Sequence, residues 1–194
     1  MYPGGKWSLV KRKYIVKRGD TLSHLALRFK TTIKAIKDAN GLSSDLIVIG
    51  QSLAIPTKLP KLNYATNVAE ATRRIKVDAD RWQWIVAHHS AIEAGNAKVY
   101  DNYHRNVKRM RNGLAYHFVI GCGKDSKDGE IEIGSRWTDQ IRGGHVRKAS
   151  VNDVGIGICL VGNFQNRKPT EKQLGAFNEL MLLLKDFILE KKCR

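Results

Sequence analysis

The sequence predicts an α/β protein in two parts, a small βααβ module followed by a mixed central sheet flanked by helices. Two observations predict it. Before residue 60, two short helical stripes are bracketed by short apolar runs. After it, apolar runs of strand length alternate with segments of helical period, as in a sheet covered by helices. The expected boundaries are residues 12–57 for the module, 58–68 for a linker and 69–194 for the larger domain.

In the first part, Tyr14 to Val16 reads as a strand, and Gly19-Asp20-Thr21 turns the chain into a helix. Asp20 or Thr21 can accept a hydrogen bond from an otherwise unpaired first-turn amide. Leu22, Leu25, Ala26 and Phe29 follow the i, i+3, i+4, i+7 rule and form one buried stripe. A second helix starts at Thr31 or Thr32, carries Ile33 and Ile36 inward, and stops at Asn40-Gly41, where a left-handed residue can end it. Leu46 to Ile49 has the composition of a strand, and Leu53 to Ile55 closes the module at Pro56. Residues 57–66, with Pro60 between two lysines and no sustained period, read as a tether.

In the second part, Trp82 to Ala87 is a buried strand that runs into His88-His89-Ser90. Lys98 to Met110 suits a helix, with Val99, Tyr103 and Val107 at four-residue intervals. Ala115 to Ile120 and Glu130 to Ile133 are strands, and Val154 to Val161, apolar throughout, is a central one. Thr170 and Gln173 have capping-box spacing ahead of a long helix carrying Leu174, Phe177, Met181, Leu184 and Ile188.

The 194 residues carry 34 Lys and Arg against 18 Asp and Glu, a net of +16. Hydrophobic residues at 42% and charged residues at 27% are close to globular averages, which excludes a disordered or fibrous chain. The longest apolar runs, such as Leu180 to Leu184, are about a quarter of a bilayer span, so no membrane-spanning segment is expected. Residues 1–60 hold 11 basic and 3 acidic side chains, so the first third is the more cationic per residue. A basic surface attracts polyanions, whether nucleic acid, an anionic membrane face or an acidic wall polymer. No nucleic-acid motif or row of stacking aromatics accompanies the charge, and no nucleic-acid partner is expected. Cys122, Cys159 and Cys193 are odd in number and widely spaced, which gives no disulfide framework. No apolar stretch follows the basic N-terminus, so no secretory signal is visible: either the protein is made without one or the numbered chain starts after it.

YIVKRGDTLSHLALRF (Tyr14 to Phe29) and GQSLAIP (Gly50 to Pro56), with Asn40, Leu42, Ser44 and Asp45 between them, resemble the lysin motif, LysM, a carbohydrate-binding module. The resemblance implies binding to glycans containing N-acetylglucosamine. The implied groove has Gly19, Asp20, Thr21 and Leu22 on one side and Leu42, Ser44 and Asp45 on the other.

VAHHSA (Val86 to Ala91), LAYHFVIG (Leu114 to Gly121), GGHV (Gly143 to Val146) and NDVGIGICLVGNF (Asn152 to Phe164) then occur in order, followed by PTEKQL. This set resembles the zinc-dependent N-acetylmuramoyl-L-alanine amidases, whose fold is shared with a phage lysozyme and with animal peptidoglycan recognition proteins. The resemblance implies that His88 is a zinc ligand, that Tyr116 is catalytic through its phenol, and that His145 binds substrate in the cleft. It implies Zn2+ as cofactor and peptidoglycan as partner, for a monomeric protein located outside the cell, in the wall or in the periplasm. Cys159 stands where one branch of the family has a glutamate, and the remaining zinc ligands are expected beyond Arg194. The chain as given is therefore expected to be feebly active or inactive, with Cys193 no substitute ligand.

The residue types suit that chemistry. A catalytic zinc takes three protein ligands and a water whose pKa falls toward about 7. His88 ends an apolar strand, where a side chain is held rigidly. Neighbours on a strand point to opposite faces, so His88 and His89 do not share one metal. The spacing of His88 and His145 does not itself suggest a compensating site, and His24 and His104 read as solvated residues of helical surfaces. The expected reaction is hydrolysis of the amide between N-acetylmuramic acid and L-alanine; the alternative is non-catalytic recognition of the wall.

Overall fold

The computed structural model describes residues 7–60 and 62–192, and the chain divides into two compact units, Met1–Lys61 and Leu62–Arg194. Cys193 lies outside the described residues. No helix among the described residues is long and apolar enough to cross a membrane.

The first unit contains β1 (Trp7–Ile15), α1 (Leu22–Arg28), α2 (Ile33–Asn40) and β2 (Ser52–Pro60). The strands pair antiparallel from Trp7↔Pro60 to Ile15↔Ser52. Both are longer than their side-chain patterns predict, because a ladder satisfies backbone groups whatever the side chains do. The stretch from Thr57 to Pro60, expected to be tether, continues β2. Leu46 to Ile49 forms no strand; Gln51 Nα donates to the Val48 carbonyl and Gln51 Oε1 accepts from Val48 N–H, both at 3.0 Å, closing a turn instead.

Thr21 Oγ1 accepts from His24 N–H at 3.2 Å and Thr32 Oγ1 from Ala35 N–H at 3.1 Å, which caps the two helices. Gly41, at φ +63°, ends α2. Asp20 does not cap. Its carboxylate accepts from the Tyr14 hydroxyl and the Lys17 amide, each at 2.7 Å, and so ties the turn to β1. Tyr14, Val16, Leu22, Leu25, Ala26, Ile36, Leu53 and Ile55 form the core. Asn40 links α2 to β2, donating to Ala54 O at 2.8 Å and accepting from Ala54 N–H at 2.7 Å. Asn40→Ala strands both strand groups and is expected to cost about 1–3 kcal/mol, read as a fall in the first unit's denaturant midpoint.

The second unit contains α3 (Thr66–Arg73), β3 (Trp84–His89), α4 (Ala97–Asn106), β4 (Phe118–Ile120), β5 (Ile131–Ile133), α5 (Ser135–Thr138), α6 (Ala149–Val154), β6 (Gly155–Leu160) and α7 (Glu171–Lys192). The sheet order is β3-β6-β4-β5, parallel except for the β4–β5 pair, so the sheet is mixed as expected. β6 is buried at every position. β3, expected to be buried, is an edge strand, and Trp84 is 60% exposed; Trp82, 1% exposed, precedes the strand.

α3 begins inside the expected linker. Its N-cap residue, Ala65, has no side chain to cap with, and the Glu179 carboxylate of α7 accepts from the amides of Asn63, Tyr64 and Ala65 at 2.8–3.1 Å instead. In α4 the stripe Val99, Tyr103 and Val107 faces outward, while Tyr100 is buried and His104 half-buried. α7 has its capping box, Thr170 Oγ1 accepting from Gln173 N–H at 3.0 Å and Gln173 Oε1 from Thr170 N–H at 3.2 Å. Its buried line runs through Ala176, Leu180, Leu183 and Leu184; of the predicted stripe, Leu184 lies on that line, Phe177, Met181 and Ile188 pack half-buried against the core, and Leu174 is exposed.

Candidate functional site

Register decides what His88 can meet. It pairs with Cys159 of β6, which pairs in turn with Val119 of β4. Alternation puts these residues on the face that packs with Tyr100, Leu114 and Tyr116. His89 falls on the opposite face, where its ring stacks on Phe164 at 5.8 Å and its Nδ1 accepts from Phe164 N–H at 3.0 Å. The two histidines therefore serve different faces, as strand geometry requires.

Tyr116 and His117 precede β4. His117 is fully buried, its Nδ1 accepting from Gly157 N–H at 2.9 Å and its Nε2 donating to Ile141 O at 3.2 Å. It is a structural pin. His145 sits in a loop shaped by Asn152, whose Oδ1 accepts from His145 N–H at 2.9 Å and Val146 N–H at 3.1 Å. The buried Arg136 guanidinium donates to the carbonyls of Leu114 and Arg142, tying the start of that loop to the segment before Tyr116.

These supports bring three of the predicted residues together. His88 Nε2 lies 2.9 Å from His145 Nδ1. The Tyr116 ring centre is 5.5 Å from that of His88 and 6.4 Å from that of His145. His104, expected to be solvated, packs edge-on to Tyr116 at 5.9 Å, and its Nδ1 accepts from Ala115 N–H at 3.3 Å. The signal for it was present: His104 lies four residues after Tyr100, on the buried side of α4.

Burial, with the nearby His145 and His89, lowers the His88 pKa to about 4. Burial, with His145 beside it, lowers that of His117 to about 3, and burial also lowers those of His104 and His145. The Tyr116 phenol is raised by burial and by the adjacent Cys159 thiol, itself pushed up to about 12 by burial. At neutral pH the site holds uncharged imidazoles, a protonated phenol and a protonated thiol. Because the native histidines titrate below the ordinary value of about 6.5, the unfolded chain binds more protons between that pH and their native pKa values. Stability of the second unit is present above pH 6.5 and is expected to fall as pH drops toward 4 and then 3, measurable as a declining unfolding temperature.

In the first unit, Thr21 is committed to its cap and Asp20 to Tyr14. Gly19 adopts φ +88°. The Leu22 side chain, expected to line the glycan surface, is 2% exposed and belongs to the core, because it opens the buried stripe of α1. Leu42 packs against the same core. Ser44 and Asp45 are exposed, with Asp45 2.7 Å from Lys37 Nζ.

The donor set can be tested against zinc. His88 and His145 supply two neutral nitrogens, but at 2.9 Å they share a proton; two ligands of one tetrahedral zinc stand about 3.3 Å apart at the usual bond length of about 2.0 Å. Among the described residues no group of three or more His, Cys, Asp or Glu could hold a metal ion, and the Cys159 thiol stays protonated. The described residues do not complete a zinc site.

Known proteins resemble both units of the chain. The N-acetylmuramoyl-L-alanine amidase family matches residues 78–190, more than half of the chain, and the LysM domain family matches residues 14–56. Cell wall-binding protein YocH of Bacillus subtilis (strain 168) is 41% identical over 58 residues, 30% of this chain and 20% of that one. Peptidoglycan-recognition protein SA of Drosophila melanogaster is 29% identical over 107 residues, 51% of this chain and 48% of that one. The chain thus spans less than half the length of these relatives. Among solved structures, N-acetylmuramoyl-L-alanine amidase LysC from Clostridium intestinale is 26% identical with a TM-score of 0.48, covering 59% of this chain and 70% of that one. Matched over residues 78–190, this chain belongs to the N-acetylmuramoyl-L-alanine amidase family and carries a LysM domain ahead of that region.

Proposed function

We propose that this protein is a peptidoglycan hydrolase cleaving the amide between N-acetylmuramic acid and L-alanine, held to the wall by its LysM unit. The observation that carries the reading is the meeting of His88, Tyr116 and His145 at the end of β3 in a chain of this family. The Tyr116 phenol, kept protonated, donates a hydrogen bond to the carbonyl oxygen of the attacked amide, where negative charge develops. His88, uncharged, keeps a lone pair for a ligand. Amidases of this family are generally zinc-dependent, and in this reading His88 is the ligand that the described residues contribute.

The first unit binds glycan through the turn at Gly19 to Thr21 and the loop with Leu42, Ser44 and Asp45; Leu22 supports that turn from the core. A tethered wall-binding unit raises the local concentration of the other unit on the same polymer. The +16 charge adds attraction to an anionic wall, and the site of action is the wall, the periplasm or the outside of the cell.

Purified peptidoglycan incubated with the chain and zinc is expected to show slow release of new L-alanine amino termini. His88→Ala is expected to release none above background while still sedimenting with the wall. A second reading, non-catalytic recognition, is favoured by one observation: no three metal-ligating groups come together among the described residues. Wild-type protein that sediments with the wall and releases nothing would select it.

A further inference from the structure

We infer that His145 is a positioning residue: its fixed tautomer makes His88 a hydrogen donor at Nε2 and leaves His88 Nδ1 as the nitrogen with a free lone pair. The chain of bonds starts at a group that can only accept. The Gly155 carbonyl lies 3.2 Å from His145 Nε2, so that nitrogen carries the proton. A neutral imidazole carries a single proton, so with Nε2 protonated its Nδ1 is bare. At 2.9 Å from that bare nitrogen, His88 Nε2 donates. A neutral imidazole with Nε2–H has its lone pair on Nδ1.

The His145 ring is held for this task from two sides. A Cβ added at Gly157 would lie 2.6 Å from its Cγ, and one added at Gly143 would lie 2.6 Å from its Nε2. Both residues are glycine, and Asn152 fixes the backbone amides of His145 and Val146. With one ring nitrogen given to Gly155 and the other to His88, His145 has no nitrogen left for substrate. Its service is to orient His88, as the hydrogen-bond partner of a ligating histidine commonly does. The purpose assigned to the free Nδ1 rests on the amidase reading; the tautomer itself does not.

The test is long-range proton–nitrogen correlation on the full chain labelled with nitrogen-15 in histidine, at neutral pH without substrate. In the wild type, His88 is expected as a single tautomer protonated at Nε2, with that proton protected from solvent exchange and visible. In His145→Ala the Nε2 proton is expected to exchange too fast to be seen. His117, whose own hydrogen bonds run to Gly157 and Ile141, is expected to keep its pattern and so reports that the fold survives. A wild-type His88 protonated at Nδ1 overturns the inference without any variant. So does an Nε2 proton equally visible in His145→Ala. Because no peptidoglycan is present, either failure leaves the hydrolysis experiment standing, and failure there leaves the tautomer untouched.

Discussion

Replacing Trp137 with alanine is expected to destabilise the second unit by about 3–5 kcal/mol, the range for truncating a buried aromatic side chain. Trp137 is 0% exposed and packs at 5.2 Å from Phe118 and 6.4 Å from Trp82, ring centre to ring centre. Its indole N–H donates to Thr72 Oγ1 at 2.9 Å, so α5 and α3 are joined beneath the sheet. The variant loses the packing, opens a cavity and leaves a buried hydroxyl without that donor. Thermal unfolding should show the second unit's transition lower by about 10–20 °C. The first unit, whose core is a separate set of residues, should unfold where it did before. A shift of under about 1 kcal/mol would mean that the Trp82–Trp137–Phe118 cluster does not support the sheet.

Tyr116→Phe is expected to lower the rate of L-alanine release by about 10²–10³-fold, the cost of removing one hydrogen-bond donor aimed at a developing oxyanion. The phenyl ring would keep its contacts with His88, His104 and His145, so the fold and wall binding should be preserved. An unchanged rate would assign Tyr116 to packing alone. Pairing the rate with the unfolding midpoint separates a lost hydroxyl from a disturbed core.

Much of this fold is legible in local sequence because local chemistry decides it. Thr21, Thr32 and Thr170 cap the helices that their spacing predicts, and Gly41 takes the left-handed conformation. β6 reads as central because its apolar run has no polar side to offer solvent. The failures have a shared cause, which is decision at a distance. α3 has no capping side chain of its own and is capped by Glu179, 114 residues later than Ala65. The ladder from Trp7↔Pro60 extends β2 through residues that look like a tether. Four-residue spacing in α4 indicates a helix but is silent about which stripe faces inward, and it is Tyr100 and His104, not Val99, Tyr103 and Val107, that turn toward the core. At the site, residue types marked His88, Tyr116 and His145 one at a time. Only the loop held by Asn152 and Arg136 brings His145 within 2.9 Å of His88, and no spacing along the chain contains that distance.

The central claim is that this chain cuts one bond, the amide joining the glycan to its stem peptide. Mass spectrometry of the soluble products from purified peptidoglycan, digested with and without zinc, tests it most directly. The account predicts free stem peptides beginning with L-alanine and glycan strands whose lactyl groups end in carboxylate, both absent with His88→Ala. Products cut within the glycan or between stem residues, or wall-bound protein with no product at all, would contradict it.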